Sequence, residues 1–162
     1  MKKIIPVLLI SGLLSTPAFA DKGNVAFDQH FKVTNKSGSK IEFSLQKGRY
    51  VHNKRTKKIA NKKSDRIKYN NLKEEVKVGC GPSGCDNAYF ERTFDVSIKK
   101  ASNPGYPTTC SITVNYKSNK ARNKVIKRWG SSLFGGNTCG SSIVASNFDG
   151  KTTDIKITGT NW

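Results

Sequence analysis

The chain has 162 residues and a formal net charge of +18, with 29 Lys and Arg against 11 Asp and Glu. This length suits one domain with a real core, while so large a charge imposes self-repulsion that a binding function would explain. After the first twenty residues, no apolar run approaches the roughly 18 residues of a membrane span, so we expect no transmembrane segment.

The first twenty residues have the pattern of a cleavable signal peptide. Lys2 and Lys3 form a positive start, residues 4–14 are mostly apolar, and Ala18-Phe19-Ala20 is a small-residue cleavage pattern. We therefore expect a bacterial protein that is cleaved after residue 20 and exported to the periplasm or the cell exterior. The mature chain, residues 21–162, is expected to be a single β-rich domain and a monomer.

Apolar and polar residues alternate along much of the mature chain, which predicts β-strands. One strand is predicted over residues 25–33 and the next over residues 41–45, with turn-forming residues 35–39 between them. We interpret this pair as a hairpin. Residues 55–68 have too few apolar side chains for a buried helical stripe, and we predict a long basic loop or a polar edge hairpin there.

Alternation resumes in the second half of the chain. Strands are predicted over residues 90–98 and 110–116, on either side of a Pro- and Gly-containing break. Weaker patterns predict further strands near residues 76–78, 125–129, 143–145 and 155–157. About seven to nine short strands with Gly, Pro, Asn and Ser turns favour an antiparallel β-sandwich, with a small β-barrel as the alternative.

The mature chain contains four cysteines, an even number that predicts two disulfides in an exported protein. Cys80 and Cys85 flank the turn-forming Gly81-Pro82-Ser83-Gly84, so we favour Cys80 with Cys85 and Cys110 with Cys139 among the three connectivities. Paired C-x-x-C spacing is absent, so the sequence does not indicate a metal site. It contains no recognisable cofactor motif either.

The positive charge is segregated along the sequence. Between Lys47 and Lys77 there are 12 basic residues and 3 acids, and a second run of six cations from Lys117 to Arg128 contains no acid. Clustered cations build a local potential that concentrates anions, although a charge run can also be an ordinary solvated face. Because lysines far outnumber arginines, we expect diffuse, salt-sensitive attraction rather than bidentate recognition.

Aromatic residues stand beside the cations, most closely in the stretch KVIKRWGSSLFGGN. Trp129 and Phe134 could enter a membrane interface or stack on sugars or bases; alternatively, they could close one end of the core. The predicted ligand-binding residues are Lys54, Arg55, Lys57, Lys58, Lys62, Lys63, Arg66, Lys124, Lys127, Arg128, Trp129 and Phe134.

The charge pattern favours an exported protein that binds an anionic surface or polyanion, such as phospholipid headgroups, sulfated glycan, lipopolysaccharide or a nucleic-acid backbone. This interpretation assumes that the two basic runs meet on one face. One alternative is a secreted metal-free nuclease with His30 and His52 as base and acid, His30 lying on the wet side of its strand. Another is a module that binds an acidic protein partner. An enzyme is less favoured, because no serine triad, glycosidase carboxylate pair or phosphate loop is recognisable.

Overall fold

The computed structural model describes residues 20–48, 53–81, 84–102, 105–134, 142–148 and 150–159. Within these ranges the chain forms ten strands and no α-helix, which confirms the prediction of an all-β fold. Sheet I has the strand order β5-β4-β1-β10-β9, and sheet II has the order β3-β2-β6-β7-β8. The strands are β1 (Ala20–Asn35), β2 (Ile41–Lys47), β3 (Arg55–Ile59), β4 (Ser64–Gly81), β5 (Gly84–Cys85), β6 (Tyr89–Lys100), β7 (Thr108–Ser118), β8 (Val125–Phe134), β9 (Ile143–Ser146) and β10 (Thr152–Ile157).

Alternating apolar side chains from both sheets meet in one core. The ring of Phe31 in β1 lies 4.8 Å from that of Phe94 in β6, between centroids. Phe27 in β1 lies 4.7 Å from Tyr116 in β7. The two sheets therefore face each other across aromatic side chains, and the alternate residues of each strand form two outer faces.

A buried hydrogen-bond network also joins the sheets. The side-chain amide of Gln29 donates to Thr153 Oγ1 (3.0 Å), and its Oε1 accepts from the hydroxyl of Tyr116 (2.9 Å). Gln29 and Thr153 belong to sheet I, whereas Tyr116 belongs to sheet II. Because buried polar groups are costly without partners, this network favours one relative position of the sheets.

The predicted hairpin of the first two strands is wrong in its pairing, although both strands form. β1 lies in sheet I and β2 in sheet II, so residues 36–40 connect the sheets. The buried Asn35 side chain holds this connection by donating to Ser39 O (2.8 Å) and Ile59 O (2.9 Å). It also accepts from the backbone N–H of Ser37 (3.0 Å). These bonds satisfy the backbone where the chain leaves one sheet for the other.

Residues 55–68 form neither a long loop nor a hairpin. They contain β3, an edge strand of sheet II, and the start of β4 in sheet I. Lys62 in the connection has a φ of 61°, in the left-handed region, and its N–H donates to Asn35 O (2.7 Å). A salt bridge of 3.4 Å between Lys57 and Asp65 joins the two strands.

One strand pair departs from the antiparallel prediction, because β1 and β10 are parallel. Their pairing runs from His30 to Asn35 of β1, so the earlier part of β1 pairs with β4 but has no described strand on its other side. The β7–β8 connection lies beside this free edge. There, Arg122 Nε is 3.1 Å from the position that a Cβ on Gly23 would take.

The Cys80–Cys85 disulfide is confirmed and joins β4 to β5. Cys139 lies outside the described residues, so the pairing of Cys110 with Cys139 stays a prediction. The signal peptide also stays a prediction, since only Ala20 of its residues is described. The described part of the chain contains no helix with the length and hydrophobicity required to cross a membrane.

Candidate aromatic and cationic sites

The parts of the two basic runs that belong to sheet II lie at its opposite edges. The first run includes the edge strand β3 and the second run includes the edge strand β8, with β2, β6 and β7 between them. At about 4.8 Å per strand, these edges are roughly 19 Å apart. The lysines of the two runs in sheet II therefore share its outer face but do not meet on it.

The first run is itself divided among several surfaces. Lys54 and Lys58 are exposed on the outer side of sheet II. Arg55 lies over the ring of Tyr69, 5.9 Å from its centroid, on the side that faces sheet I. Lys57 is engaged by Asp65, and Lys62 and Lys63 occupy the connection to β4. The cations that are adjacent in sequence thus do not form one binding surface.

Arg66 lies on the outer face of sheet I with three lysines from β1 and β4. We call Lys32, Arg66, Lys68 and Lys73 the basic strip. Lys32 is directly opposite Arg66, and like charges in this position weaken a sheet. Among the described residues, none of the four forms a salt bridge. The strip is a cationic surface without an exposed aromatic neighbour, since the described exposed aromatic residues all lie outside sheet I.

The outer face of sheet II carries exposed aromatic rings beside lysines. Tyr89 and Trp129 are 64% and 36% exposed, and their ring centroids are 6.4 Å apart. Lys117 Nζ lies 5.4 Å from the ring centroid of Tyr89, and Lys127 Nζ lies 6.0 Å from that of Trp129. Ile126, beside Lys127 in the chain, is 50% exposed. These five residues, from β6, β7 and β8, are the aromatic patch.

Strand register brings the members of the aromatic patch together. Tyr89 is opposite Lys117 across β6 and β7, and Lys117 is opposite Lys127 across β7 and β8. Trp129 follows Lys127 by two residues and shares its face. A register shift places Ile126 as an extra residue in β8, and such bulges often expose a side chain that regular pairing would turn away.

The position of Trp129 decides between its two predicted roles. Its ring lies on the outer face of sheet II, so Trp129 does not close the end of the core. Phe148 packs against the core instead, with its ring over Gly130 of β8. Lys117 and Lys127 face each other without a salt bridge to any described carboxylate. The patch therefore combines exposed apolar surface with two lysines that form no salt bridge with a described residue.

A cleft of about 390 Å³ opens beside the free edge of β1, and we call it the β1 cleft. The pairing of β1 with β4 shifts register after Phe27, and Asn71 of β4 has a left-handed backbone with a φ of 54°. It is lined by Ala26, Phe27, Asp28, Asn71, Asn123, Lys124, Val125, Arg128 and Lys151. Its charged side chains are three cations and one carboxylate, so the cleft is positive overall.

Asp28 is held in the β1 cleft by two donors. Lys151 Nζ lies 2.9 Å from Asp28 Oδ2, and the N–H of Asn71 donates to Oδ1 (3.1 Å). The hydrogen bond from Lys151, followed by that from Asn71, holds the pKa of Asp28 below its usual value. Arg128, on the inner side of β8, donates from Nη2 to the backbone oxygen of Asp28 (3.2 Å).

The structure separates the predicted residues of the second run. Lys127 and Trp129 belong to the aromatic patch, whereas Lys124 and Arg128 line the β1 cleft. The backbone of Phe134, at the end of β8, is opposite Ser111 of β7. Sequence reasoning missed Tyr89 and Lys117 as binding residues. The available signal was an aromatic residue on the polar side of an alternating strand.

A second cleft, of about 460 Å³, lies on the outer face of sheet II. Its charged lining consists of Lys54 and Asp95, and the carboxylate of Asp95 accepts from the hydroxyl of Ser111 (2.8 Å). Most of the remaining lining is hydroxyl-bearing or amide side chains. This cleft has no excess of positive charge and is a weaker candidate for an anionic ligand.

His30 lies on the outer face of β1, as predicted, and its Nε2 is 3.0 Å from Asn70 Oδ1. His52 lies outside the described residues, so the nuclease hypothesis stays a prediction.

The chain matches no protein-family model, no curated protein and no solved structure.

Proposed function

We propose that this chain is an exported protein that binds an anionic phospholipid surface through the aromatic patch. The observation that carries the proposal is the exposure of Tyr89 and Trp129 beside Lys117 and Lys127. Tyr and Trp have apolar rings with polar atoms at one edge, a combination favoured at the boundary between headgroups and acyl chains. Lysines beside them would approach the phosphates, each contributing about 1 kcal/mol near an anionic surface.

Two features favour a lipid surface over a nucleic acid or a glycan. Ile126 adds exposed aliphatic surface, which gains free energy at the acyl boundary but provides no ring for stacking. The rings of Tyr89 and Trp129 are inclined by 69°, so they do not form one flat platform for successive bases. Point charges on lysine also suit a fluid layer of headgroups better than the reading of a defined pattern.

The proposal includes the predicted route to this surface. Cleavage after residue 20 and export would place the protein in an oxidising compartment, where the proposed Cys110–Cys139 disulfide would join the confirmed Cys80–Cys85 bond. The sheets would then form a cross-linked β-sandwich that presents the aromatic patch on one outer face. The basic strip on the other face would add long-range attraction that falls with salt.

Tryptophan fluorescence tests the proposal directly. The chain has two tryptophans, and Trp162→Phe leaves Trp129 as the sole reporter. We expect phosphatidylglycerol vesicles to shift the emission of this variant to shorter wavelength, because Trp129 moves from water into the interface. The shift should saturate with lipid. The affinity for the vesicles should fall by an order of magnitude or more between about 50 and 200 mM salt, because binding releases several counterions.

Two controls accompany this measurement. Phosphatidylcholine vesicles, which lack net charge, should give little shift. Trp129→Phe with Trp162 retained should report no shift if contact is made at the patch. Unchanged Trp129 emission with phosphatidylglycerol, or a response that does not depend on salt, would contradict the proposal.

A further inference from the structure

We propose that the β1 cleft is a second ligand site, which binds a phosphate monoester through Arg128, Lys124 and Lys151. The cleft is distinct from the aromatic patch, because Arg128 faces inward from β8 whereas its neighbour Trp129 faces outward. The inference does not rest on membrane binding, since phosphate can be added without lipid.

The charges of the β1 cleft match a dianion. Asp28 carries the only carboxylate among its described lining residues, and that carboxylate is already engaged by Lys151 and the N–H of Asn71. Arg128 and Lys124 form no salt bridge with a described residue. Three cations and one anion leave a net charge of two positive units. This balances the two negative charges of a phosphate monoester above its second pKa of about 6.

Arg128 has the most specific donor groups of the β1 cleft. Its guanidinium is half-buried, with Nη2 bonded to a neutral backbone oxygen and Nε shielded from solvent without an acceptor among the described residues. A buried donor without a partner is costly and rare in native structures. An oxyanion in the cleft would supply acceptors to the planar fork of donors after a small rotation of the side chain.

The remaining lining residues suit the ester part of the ligand. Phe27 and Val125 contribute apolar surface, and Asn71 and Asn123 contribute amide groups. Phosphate oxygens would therefore lie toward Arg128, Lys124 and Lys151, with a small organic group against the apolar wall. A volume of about 390 Å³ accommodates such a ligand.

The test uses the ¹⁵N-labelled mature protein and follows the Arg128 Nε–Hε resonance during titration with inorganic phosphate and with glycerol 3-phosphate. We expect a saturable one-site shift at about 0.15 M salt. Lys124→Gln should weaken binding about tenfold, since it removes one lining charge from an exposed position. Lys124→Glu, which replaces a lining cation with a carboxylate, should abolish it.

Lys68→Gln is the charge-matched control, because it removes one cation from the basic strip. It should leave phosphate binding within about twofold of the wild type at this salt concentration. An Arg128 resonance that does not move at 10 mM phosphate, about the upper end for a useful small-ligand site, would overturn the proposal. Equal weakening by Lys68→Gln and Lys124→Gln would also overturn it. Thermal unfolding of each variant confirms that it is folded.

Vesicles then distinguish the source of the phosphate. If phosphatidic acid vesicles are bound more tightly than phosphatidylglycerol vesicles and Lys124→Gln removes the difference, the ligand is a lipid headgroup. If Lys124→Gln affects only inorganic phosphate and glycerol 3-phosphate, the ligand is a soluble monoester. Loss of the phosphate response alone counts against the β1 cleft, whereas loss of the Trp129 response alone counts against the aromatic patch.

Discussion

The buried hydroxyl of Tyr69 makes the stability of the folded protein depend on pH. Its hydroxyl lies 2.7 Å from Leu45 O and 3.0 Å from Asn53 O and donates its one proton to these backbone oxygens, and the side chain is only 4% exposed. Burial raises the pKa of Tyr69 to about 12, an effect that the charge of Arg55 partly opposes. The phenol therefore keeps its proton in the folded state at pH values where the unfolded chain has lost it.

The stability contribution of Tyr69 should be complete below pH 10 and should decline as the pH rises from about 10 to about 12. Tyr69→Phe removes this titration and the hydrogen bonding of the hydroxyl to the backbone. We expect it to lower stability by about 1–2 kcal/mol at pH 7 and to reduce the loss between pH 10 and 11.5. Urea unfolding at each pH measures both effects. Tyr106→Phe, at an exposed position, should keep the wild-type profile, and a Tyr69→Phe profile parallel to wild type would contradict the account.

At the scale of elements, alternation identified most strands but not their partners. The residues of β1 and β2 have a clear period of two, which shows which side chains are buried. It does not say whether the next strand continues the same sheet or crosses to the other. That choice depends on residues such as Asn35, whose bonds to Ser39 and Ile59 become visible only when β3 is in place.

Asn35→Ala should lower the free energy of unfolding by about 2 kcal/mol, because it removes buried hydrogen bonds to Ser37, Ser39 and Ile59. Urea denaturation provides the measurement. Asn24→Ala, at an exposed position of the same strand, should change stability by less than about 0.5 kcal/mol. Equal effects of the two substitutions would show that Asn35 does not hold the connection between the sheets.

The candidate site was predictable to a similar extent. The sequence indicated cations and an aromatic residue in β8, and Lys127 and Trp129 do lie together. It did not indicate that Tyr89 and Lys117 join them, because those contacts depend on the register of three strands. Nor could the sequence show that Lys54 and Lys127 lie at opposite edges of sheet II. Charge runs predict how many cations are present, whereas register determines which of them share a face.

At the scale of the whole molecule, positive charge is present on both outer faces, but exposed aromatic side chains accompany it on sheet II. After loss of the two leader lysines, the net charge would fall from +18 to +16, so some attraction to any anionic surface is expected. The central claim is more specific. Binding should depend on the two lysines of the aromatic patch more than on any other two lysines.

Vesicle binding by two charge-matched variants tests this claim most directly. Lys117→Gln/Lys127→Gln removes two charges from the aromatic patch, and Lys32→Gln/Lys68→Gln removes two from the basic strip. With phosphatidylglycerol vesicles at about 0.15 M salt, we predict about 30-fold weaker binding for the patch variant, from about 1 kcal/mol per lysine. The strip variant should lose less than about threefold, because its charges lie across the domain at more than the Debye length of about 8 Å. Equal losses in the two variants would contradict the account.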